Sequence, residues 1–195
     1  MPRRGLDRAA VVEVAAALAD SEGLEQVTFA RLAELLGVRA PSLYNHVDGL
    51  DGLRRELAVR GLREMARRLG RAAIGKAGDA ALVALARAYR DFARAHRGLY
   101  AAAQRAPNPA DAEWTALSGE VVGIVVAVLA GYGLEGDDAV HAVRGLRSLM
   151  HGFVSLEVAG GFGLPLDIDQ SYDRLLRTFA AGLGRPAEEG EETLR

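Results

Sequence analysis

Apolar side chains recur at helical spacing along almost the whole of this 195-residue chain, and this periodicity is what most constrains its fold. In the clearest stretch, Phe29, Leu32 and Leu36 form one apolar face, which begins after Thr28, a good N-cap, and ends at Gly37. No segment shows the sustained alternation or the hairpin signal of a β-sheet. We therefore predict an all-α fold of about nine helices, over residues 7–21, 29–36, 41–47, 50–69, 79–97, 99–105, 110–132, 137–160 and 169–183.

The charge balance limits the partners that the chain can attract. With 24 basic and 26 acidic side chains the net charge is −2, and the first fifty residues carry five arginines against seven carboxylates. General attraction to polyanions is therefore excluded, and contact with nucleic acid requires a local basic face. Non-specific DNA affinity should be modest, and specific binding should depend on two half-sites being held at once.

The sequence lacks cysteine and any long membrane-spanning segment. Without cysteine there is no disulfide scaffold, thiol nucleophile or cysteine-ligated metal site. The N-terminal residues lead into an amphipathic segment rather than the apolar stretch of a signal peptide. The longest apolar run, 121–134, has 14 residues and three glycines, which is too short to cross a bilayer. We expect this run to be a buried helix end and the protein to be cytoplasmic, with no membrane partner.

Residues 28–53 have the pattern of a helix-turn-helix. Two short helices meet at Gly37, which can adopt the left-handed backbone that a tight turn needs. Ala33 is small enough to let the helices approach closely, while Val38 and Leu43 supply apolar contacts on either side of the turn. Pro41 suits the first turn of the second helix. This arrangement presents the second helix to the major groove of DNA.

This segment resembles the DNA-binding region of the TetR family of transcription regulators. The similar residues are Gly37-Val38 at the turn and the run Pro-Ser-Leu-Tyr-Asn-His-Val at 41–47, and the resemblance extends over about Leu6–Leu53. The family often has a phosphate-contacting lysine near the start of the fourth helix. Here residues 48–51 are Asp-Gly-Leu-Asp, so we place no phosphate clamp there. A second resemblance, to a TetR ligand domain marked by a His-Gly pair, lies at 149–162.

The resemblance implies a domain order and a function. Residues 1–48 would form the DNA-binding domain, residues 49–184 a helical bundle for ligand binding and dimerisation, and residues 185–195 a disordered tail. In the family, the last two helices pair with their copies. The implied function is a homodimeric repressor, without a cofactor, that a small-molecule effector releases from a near-palindromic operator in double-stranded DNA.

The resemblance also implies which residues contact DNA. Arg39 can donate two hydrogen bonds to a guanine edge, and Tyr44 and His46 resemble the family's phosphate-contacting pair. Arg3 and Arg4 form a short arm that can reach the duplex. For individual positions, the alternative to DNA contact is a structural or solvated role: a packed tyrosine, a helix cap, a solvated side chain or a disordered terminus. The predicted set is Arg3, Arg4, Thr28, Arg39, Ala40, Pro41, Ser42, Tyr44, Asn45 and His46.

Seven residues in the C-terminal part are candidates for the ligand pocket. A ligand site in a helical bundle is mostly apolar, with a few placed polar groups. His151 lies in an apolar stretch and can bond a ligand, although a buried and satisfied histidine is the more common explanation. The candidates are Tyr89, Phe92, Tyr100, Trp114, Met150, His151 and Phe153.

Other functions have less support in the sequence. There is no His-Glu-x-x-His metal motif and no glycine-rich phosphate loop, and helix capping explains the acidic residues at 135–138 and 167–169. We therefore predict that the protein is not an enzyme. A TetR-like activator, a ligand-independent regulator and a helical adaptor protein stay open. Binding to a palindromic duplex would separate DNA-binding regulators from an adaptor, and release by small molecules would identify a sensor.

Overall fold

The computed structural model describes residues 6–184, and this part of the chain is all α-helical, as predicted. Two short 3-10 helices, Leu24–Gln26 and Ala130–Tyr132, accompany nine α-helices within these residues. The predicted arm of Arg3 and Arg4 and the predicted tail, 185–195, lie outside the described residues. The helices are α1 (Arg8–Glu22), α2 (Phe29–Leu36), α3 (Ala40–Leu43), α4 (Gly49–Ala73), α5 (Gly78–Ala95), α6 (Arg97–Ala103), α7 (Ala112–Leu129), α8 (Gly136–Val158) and α9 (Ile168–Leu183).

Two helix ends differ clearly from the prediction. α3 ends at Leu43 rather than at residue 47, because turn hydrogen bonds follow it, such as the one from the His46 N–H to the Leu43 carbonyl at 3.0 Å. α4 continues past Gly70 and is followed by Gly75, whose φ of +71° is left-handed. A glycine inside a helix costs only about 1 kcal/mol, which the packing of a 25-residue helix outweighs.

The first four helices enclose a small apolar core. Val11 of α1, Leu32 of α2, Leu43 of α3 and Leu53 of α4 are all fully buried and belong to one cluster. α1 begins after Asp7, whose side chain accepts a hydrogen bond from the Ala10 N–H at 2.7 Å. Because Leu43 anchors α3 in this core, the opposite side of the short helix faces outward.

α6 packs against α1 and α4 with almost no space between the backbones. A side chain at Gly98 would clash with the backbone of Ala19, and one at Gly61 would lie 2.5 Å from the carbonyl oxygen of Leu99. Asp20, near the end of α1, accepts hydrogen bonds from the backbone N–H groups of Gly98 at 2.8 Å and Leu99 at 3.2 Å. Backbone contacts therefore join the N-terminal helices to the bundle.

α4 lies at the centre of the bundle and packs against α5, α6 and α7. On the far side of α5, the buried Arg90 connects three helices. Its guanidinium donates to both carboxylate oxygens of Glu157 in α8, at 2.7 and 2.6 Å, and lies 2.8 Å from Asp169 in α9. The same group lies over the ring of Tyr172, 5.1 Å from its centroid. This cluster links α8 and α9 to α5.

α7 is less buried than the sequence predicted. Most of the apolar run lies in a longer helical stretch, 112–132, which is long and apolar enough to cross a membrane, so the expectation of a run too short to do so is corrected. Only 17% of the most apolar 18 residues of this stretch are buried. Val125 and Leu129 are buried, whereas Val122 is 46% exposed. The expectation of a buried helix end is therefore wrong for most of this run, because an apolar run does not specify what packs on each side. One such helix is weak evidence for a membrane.

Candidate nucleic-acid interface and ligand cavity

Local hydrogen bonds build the turn between α2 and α3. The hydroxyl oxygen of Thr28 accepts from the backbone N–H of Arg31 at 3.3 Å and caps α2. Gly37 has a left-handed backbone, with φ of +67° and ψ of +33°, and the N–H of Val38 donates to the Ala33 carbonyl at 3.0 Å. The bond from Val38 satisfies a carbonyl group near the end of α2, and the left-handed backbone of Gly37 reverses the chain. This backbone conformation explains why glycine is needed at this position.

α3 and the residue after it expose a short face, and buried contacts on the opposite side fix its position. Leu43 is fully buried, whereas Tyr44 is 63% exposed and packs edge-on against Phe29, with ring centroids 4.7 Å apart. The Ser42 hydroxyl donates to the Arg39 carbonyl at 2.7 Å, which fixes the start of the helix. The aromatic contact positions the Tyr44 ring while its exposed part faces outward. This segment thus has the rigidity that a recognition helix requires.

The structure brings the predicted DNA-contacting residues from 28 to 46 onto exposed or half-exposed parts of this segment. Arg39 forms no ion pair with any described residue, whereas Arg31 pairs with Glu22 at 3.0 Å and with Glu34 at 2.7 Å. An unpaired guanidinium is available to a base edge or a phosphate. The exposed positions are Thr28, Arg39, Pro41, Tyr44 and Asn45, and the half-buried ones are Ala40, Ser42 and His46.

An apolar cavity of about 230 Å³ lies among α4, α5, α7, α8 and the segment after α6. This volume is below the roughly 300–1,000 Å³ of most ligand pockets, so it suits a small molecule. Tyr89 and Met150, two of the predicted pocket residues, line it. The full lining is Leu62, Met65, Leu69, Tyr89, Ala103, Gln104, Arg105, Ala106, Pro107, Ser118, Val121, Val122, Val125, Val143, Arg147 and Met150.

Three of the predicted pocket residues do not line this cavity. Phe92 is fully buried in the core of the bundle. Phe153 packs against Tyr172 and Phe162, with ring centroids 4.8 Å apart in each pair. Trp114 lines a separate surface hollow, and its indole N–H is buried without a hydrogen-bond partner among residues 6–184. Aromatic side chains at helical spacing fill cores as readily as pockets, and Phe92 and Phe153 fill space between helices.

Tyr100 and His151 do not line this cavity, although His151 lines an adjoining surface hollow with Gln104 and Arg147. The Tyr100 hydroxyl oxygen is 3.0 Å from that of Tyr89 and 2.6 Å from Nδ1 of His151, which is exposed. Burial raises the pKa of both phenols, so they stay neutral at physiological pH and act as hydrogen-bonding groups. A hydrogen-bonded chain therefore runs from the cavity wall to the surface of α8, and it gives His151 a partner within the protein.

Apart from Tyr89, the polar side chains of the cavity were missed by sequence reasoning. Arg147 stands one helical turn before His151, on the same face of α8, and this spacing was the available signal. Gln104 and Arg105 follow the end of α6, where no periodic pattern indicates which side faces a cavity. Ser118 lies within the apolar α7.

Arg55 of α4 connects this helix to the start of α7. Its guanidinium donates to both carboxylate oxygens of Asp111, at 2.5 and 2.8 Å, and to Glu113 at 2.9 Å. Asp111 also caps α7 by accepting from the Trp114 N–H at 3.1 Å. The hydrogen bond from Arg55 lowers the pKa of Asp111 to about 2. The cluster ties the helix that begins beside α3 to a helix that forms one cavity wall.

The Arg55 cluster should weaken in acid. Because the pKa of Asp111 is depressed in the folded protein, its contribution to stability is present above its ordinary value of 3.8 and is lost as the pH falls towards 2. We expect Arg55→Gln to lower the melting temperature at pH 6, and this deficit to shrink by pH 3. Thermal unfolding of both proteins across this range measures it. Arg54→Gln, whose ion pairs are longer at 3.7 and 4.0 Å, is the control. A deficit that stays constant with pH would contradict the assignment.

Comparison with known proteins gives one consistent result. Residues 82–179 match the family model of the tetracyclin repressor-like C-terminal domain. The chain is 41% identical to the uncharacterized HTH-type transcriptional regulator YobS of Bacillus subtilis, over 93% of this chain and 95% of that protein. It is 39% identical to the uncharacterized HTH-type transcriptional regulator Rv0681 of Mycobacterium tuberculosis, over 95% of this chain and 85% of that protein.

The solved structures share this fold. A protein of unknown function from Rhodococcus sp. RHA1 superimposes with a TM-score of 0.78, at 24% identity, over 95% of this chain and all of that one. The family model and the two transcriptional regulators confirm the predicted family and the prediction that the protein is not an enzyme. The chain therefore belongs to the TetR family of DNA-binding, helix-turn-helix transcriptional regulators.

Proposed function

We propose that the protein is a homodimeric repressor that binds a near-palindromic operator and releases it when a small molecule fills the cavity. The observation that supports this most is that α4 serves both sites. It begins at Gly49, directly after the recognition segment, and its Leu62, Met65 and Leu69 line the cavity. A ligand that favours one position of α4 would therefore change the position of the DNA-binding helices.

The proposal assigns DNA binding to residues 1–48, and ligand binding and dimerisation to residues 49–184. α8 and α9 would form the dimer surface. On it, Leu156 is 52% exposed, and Leu149 and Phe179 are half-buried in the monomer. The two recognition helices would then enter successive major grooves, about 34–36 Å apart. The site of action would be the cytoplasm, where the operator is.

Two measurements test this function. Selection from a random DNA library should give an inverted repeat whose half-sites are about one helical turn apart. Compounds that release this operator should then bind more weakly when it is present, by the same factor of about 5- to 150-fold. An effector affinity that does not change with saturating operator would contradict the repressor mechanism. A regulator that no small molecule releases would be ligand-independent.

Arg39→Ala should weaken operator binding by roughly 5- to 150-fold for each half-site that the dimer contacts, and relax the preference for one base pair in each half-site. The reason is that a bidentate arginine–guanine contact contributes about 1–3 kcal/mol of discrimination. Fluorescence anisotropy at fixed salt, with the native and a substituted operator, measures both effects. The control is Arg71→Ala, since exposed Arg71 lies about 33 Å along α4 from Gly49. If the Arg39 variant matched the native protein in affinity and preference, Arg39 would not contact bases.

A further inference from the structure

The cavity wall carries positive charge without a negative counterpart. Of its sixteen lining residues, two are arginines, Arg105 and Arg147, and none is Asp or Glu. Neither arginine forms an ion pair with a residue in the range 6–184, whereas Arg55 and Arg90 each pair with two carboxylates or more. A cavity with two unpaired guanidinium groups attracts anions and repels cations.

Arg147 lines the cavity and is itself exposed to solvent, because it also borders the open hollow next to the cavity. Its Nη2 atom lies 3.4 Å from both the backbone and the side-chain oxygen of Gln104, contacts that are long and weak. Burial raises the pKa of Tyr89 and of Tyr100, and the charge of Arg147 opposes that rise. The guanidinium has five N–H donors, so most of them are free to bind a ligand oxygen.

Most of the remaining lining residues are apolar. Leu62, Met65 and Leu69 project from α4, and Val121 and Val125 project from α7. A ligand with a hydrocarbon body and one acidic end would place the body among these side chains and the acid at Arg147. A neutral ligand of the same shape would make the same apolar contacts but no charge-assisted hydrogen bond to the guanidinium.

We propose that the cavity selects small amphipathic anions: a carboxylate, or an acid of similar geometry, attached to a short aliphatic or aromatic body. Arg147 is the primary contact, Arg105 adds positive charge, and the Gln104 amide can donate to the second oxygen. The inference rests on the proposed effector function of the cavity, and it names the chemical class of the effector.

The test uses the full chain and two matched pairs of probes: octanoate with octanamide, and 4-phenylbutanoate with 4-phenylbutanamide. Within a pair, the body is the same and only the charge of the end group differs. Isothermal titration calorimetry at fixed pH and salt measures the dissociation constants. Each carboxylate should bind about 10- to 100-fold more tightly than its amide, as expected for a charge-assisted hydrogen bond. Equal affinity within both pairs, or no binding of any probe, would overturn the proposal.

Three variants identify the residue responsible. Arg147→Gln keeps a long polar side chain but removes the charge, and should reduce the preference for carboxylates to about 2-fold or less. Arg147→Lys keeps the charge and should retain part of the preference. Arg174→Gln removes an exposed arginine of α9 that lines neither the cavity nor the adjoining hollow, and should leave the preference unchanged. A full preference in the Arg147→Gln protein would overturn the assignment.

Operator release is measured on the same samples, so that the two proposals can fail separately. Carboxylates that bind with the expected preference but leave the operator complex intact would support the ligand class and contradict the repressor mechanism. Neutral compounds that bind the cavity and release operator, while the carboxylates do not bind, would support the mechanism and contradict the ligand class.

Discussion

An alanine at position 98 should lower the free energy of unfolding by about 3 kcal/mol, the upper end of the usual cost of overpacking. Its Cβ would lie 2.5 Å from the carbonyl oxygen of Ala19 and closer still to two of its carbon atoms. Two of these three atoms are backbone, so α6 has to move. That movement would stretch the hydrogen bonds from Gly98 and Leu99 to Asp20. Chemical denaturation followed by circular dichroism, at constant protein concentration, measures the loss.

The matched control for this substitution is Gly119→Ala in α7. A Cβ at Gly119 would meet nothing within 4 Å, and the residue lies inside a helix. Alanine there should be neutral or should stabilise the protein by about 0.5–1 kcal/mol, because it is a better helix former than glycine. A Gly98→Ala protein as stable as the Gly119→Ala protein would mean that α1 and α6 are not in backbone contact.

Arg90→Met should destabilise the protein by about 3–5 kcal/mol, the usual result of removing one partner of a buried ion pair. The side chains of Arg90 and Glu157 are only 8% and 11% exposed. Methionine fills a similar volume but leaves the Glu157 carboxylate without its two hydrogen bonds at 2.7 and 2.6 Å. It also removes the cation over the rings of Phe153 and Tyr172. Urea unfolding at neutral pH measures the change.

Two further proteins make this result specific to the buried pair. Arg87→Met removes an arginine on the same helix that is 56% exposed and pairs with Asp173. This change should cost less than about 1 kcal/mol, as for other surface ion pairs. The double variant Arg90→Met with Glu157→Leu should recover much of the loss, because no carboxylate is then left buried alone. If Arg90→Met and Arg87→Met had the same effect, the pair would behave as solvated.

The all-α fold and the helix-turn-helix were predictable because their signals are local. Thr28 caps one helix, Gly37 ends it, and Leu43 anchors the next, so a short segment specifies its own geometry. The end of α3 was not predictable from the sequence. Residues 44–47 have a helix-like sequence pattern, but their backbone forms turn hydrogen bonds instead of a further helical turn. Periodicity therefore located the helices better than it located their ends.

The cavity depended on packing that one sequence does not reveal. Tyr89 and Phe92 are one turn apart on α5, and both are buried, but only Tyr89 lines the cavity. The two residues differ because each one faces a different part of the bundle. Arg147 was missed for a related reason: a charged residue on a mixed helix is usually solvated, and only the arrangement of α5, α6 and α7 places it beside a cavity.

In the proposed repressor, the close packing of α6 has a consequence for how effectors would differ from one another. Ala103, at one end of α6, lines the cavity, and Gly98, near the other end, contacts α1. A helix of seven residues is about 10 Å long and too short to bend, so displacement of its C-terminal end should reach α1 almost undiminished. Compounds that press on Ala103 should therefore act as inducers, whereas equally tight binders that stop short of it should occupy the cavity silently. Potency and affinity would then rank a series of ligands differently.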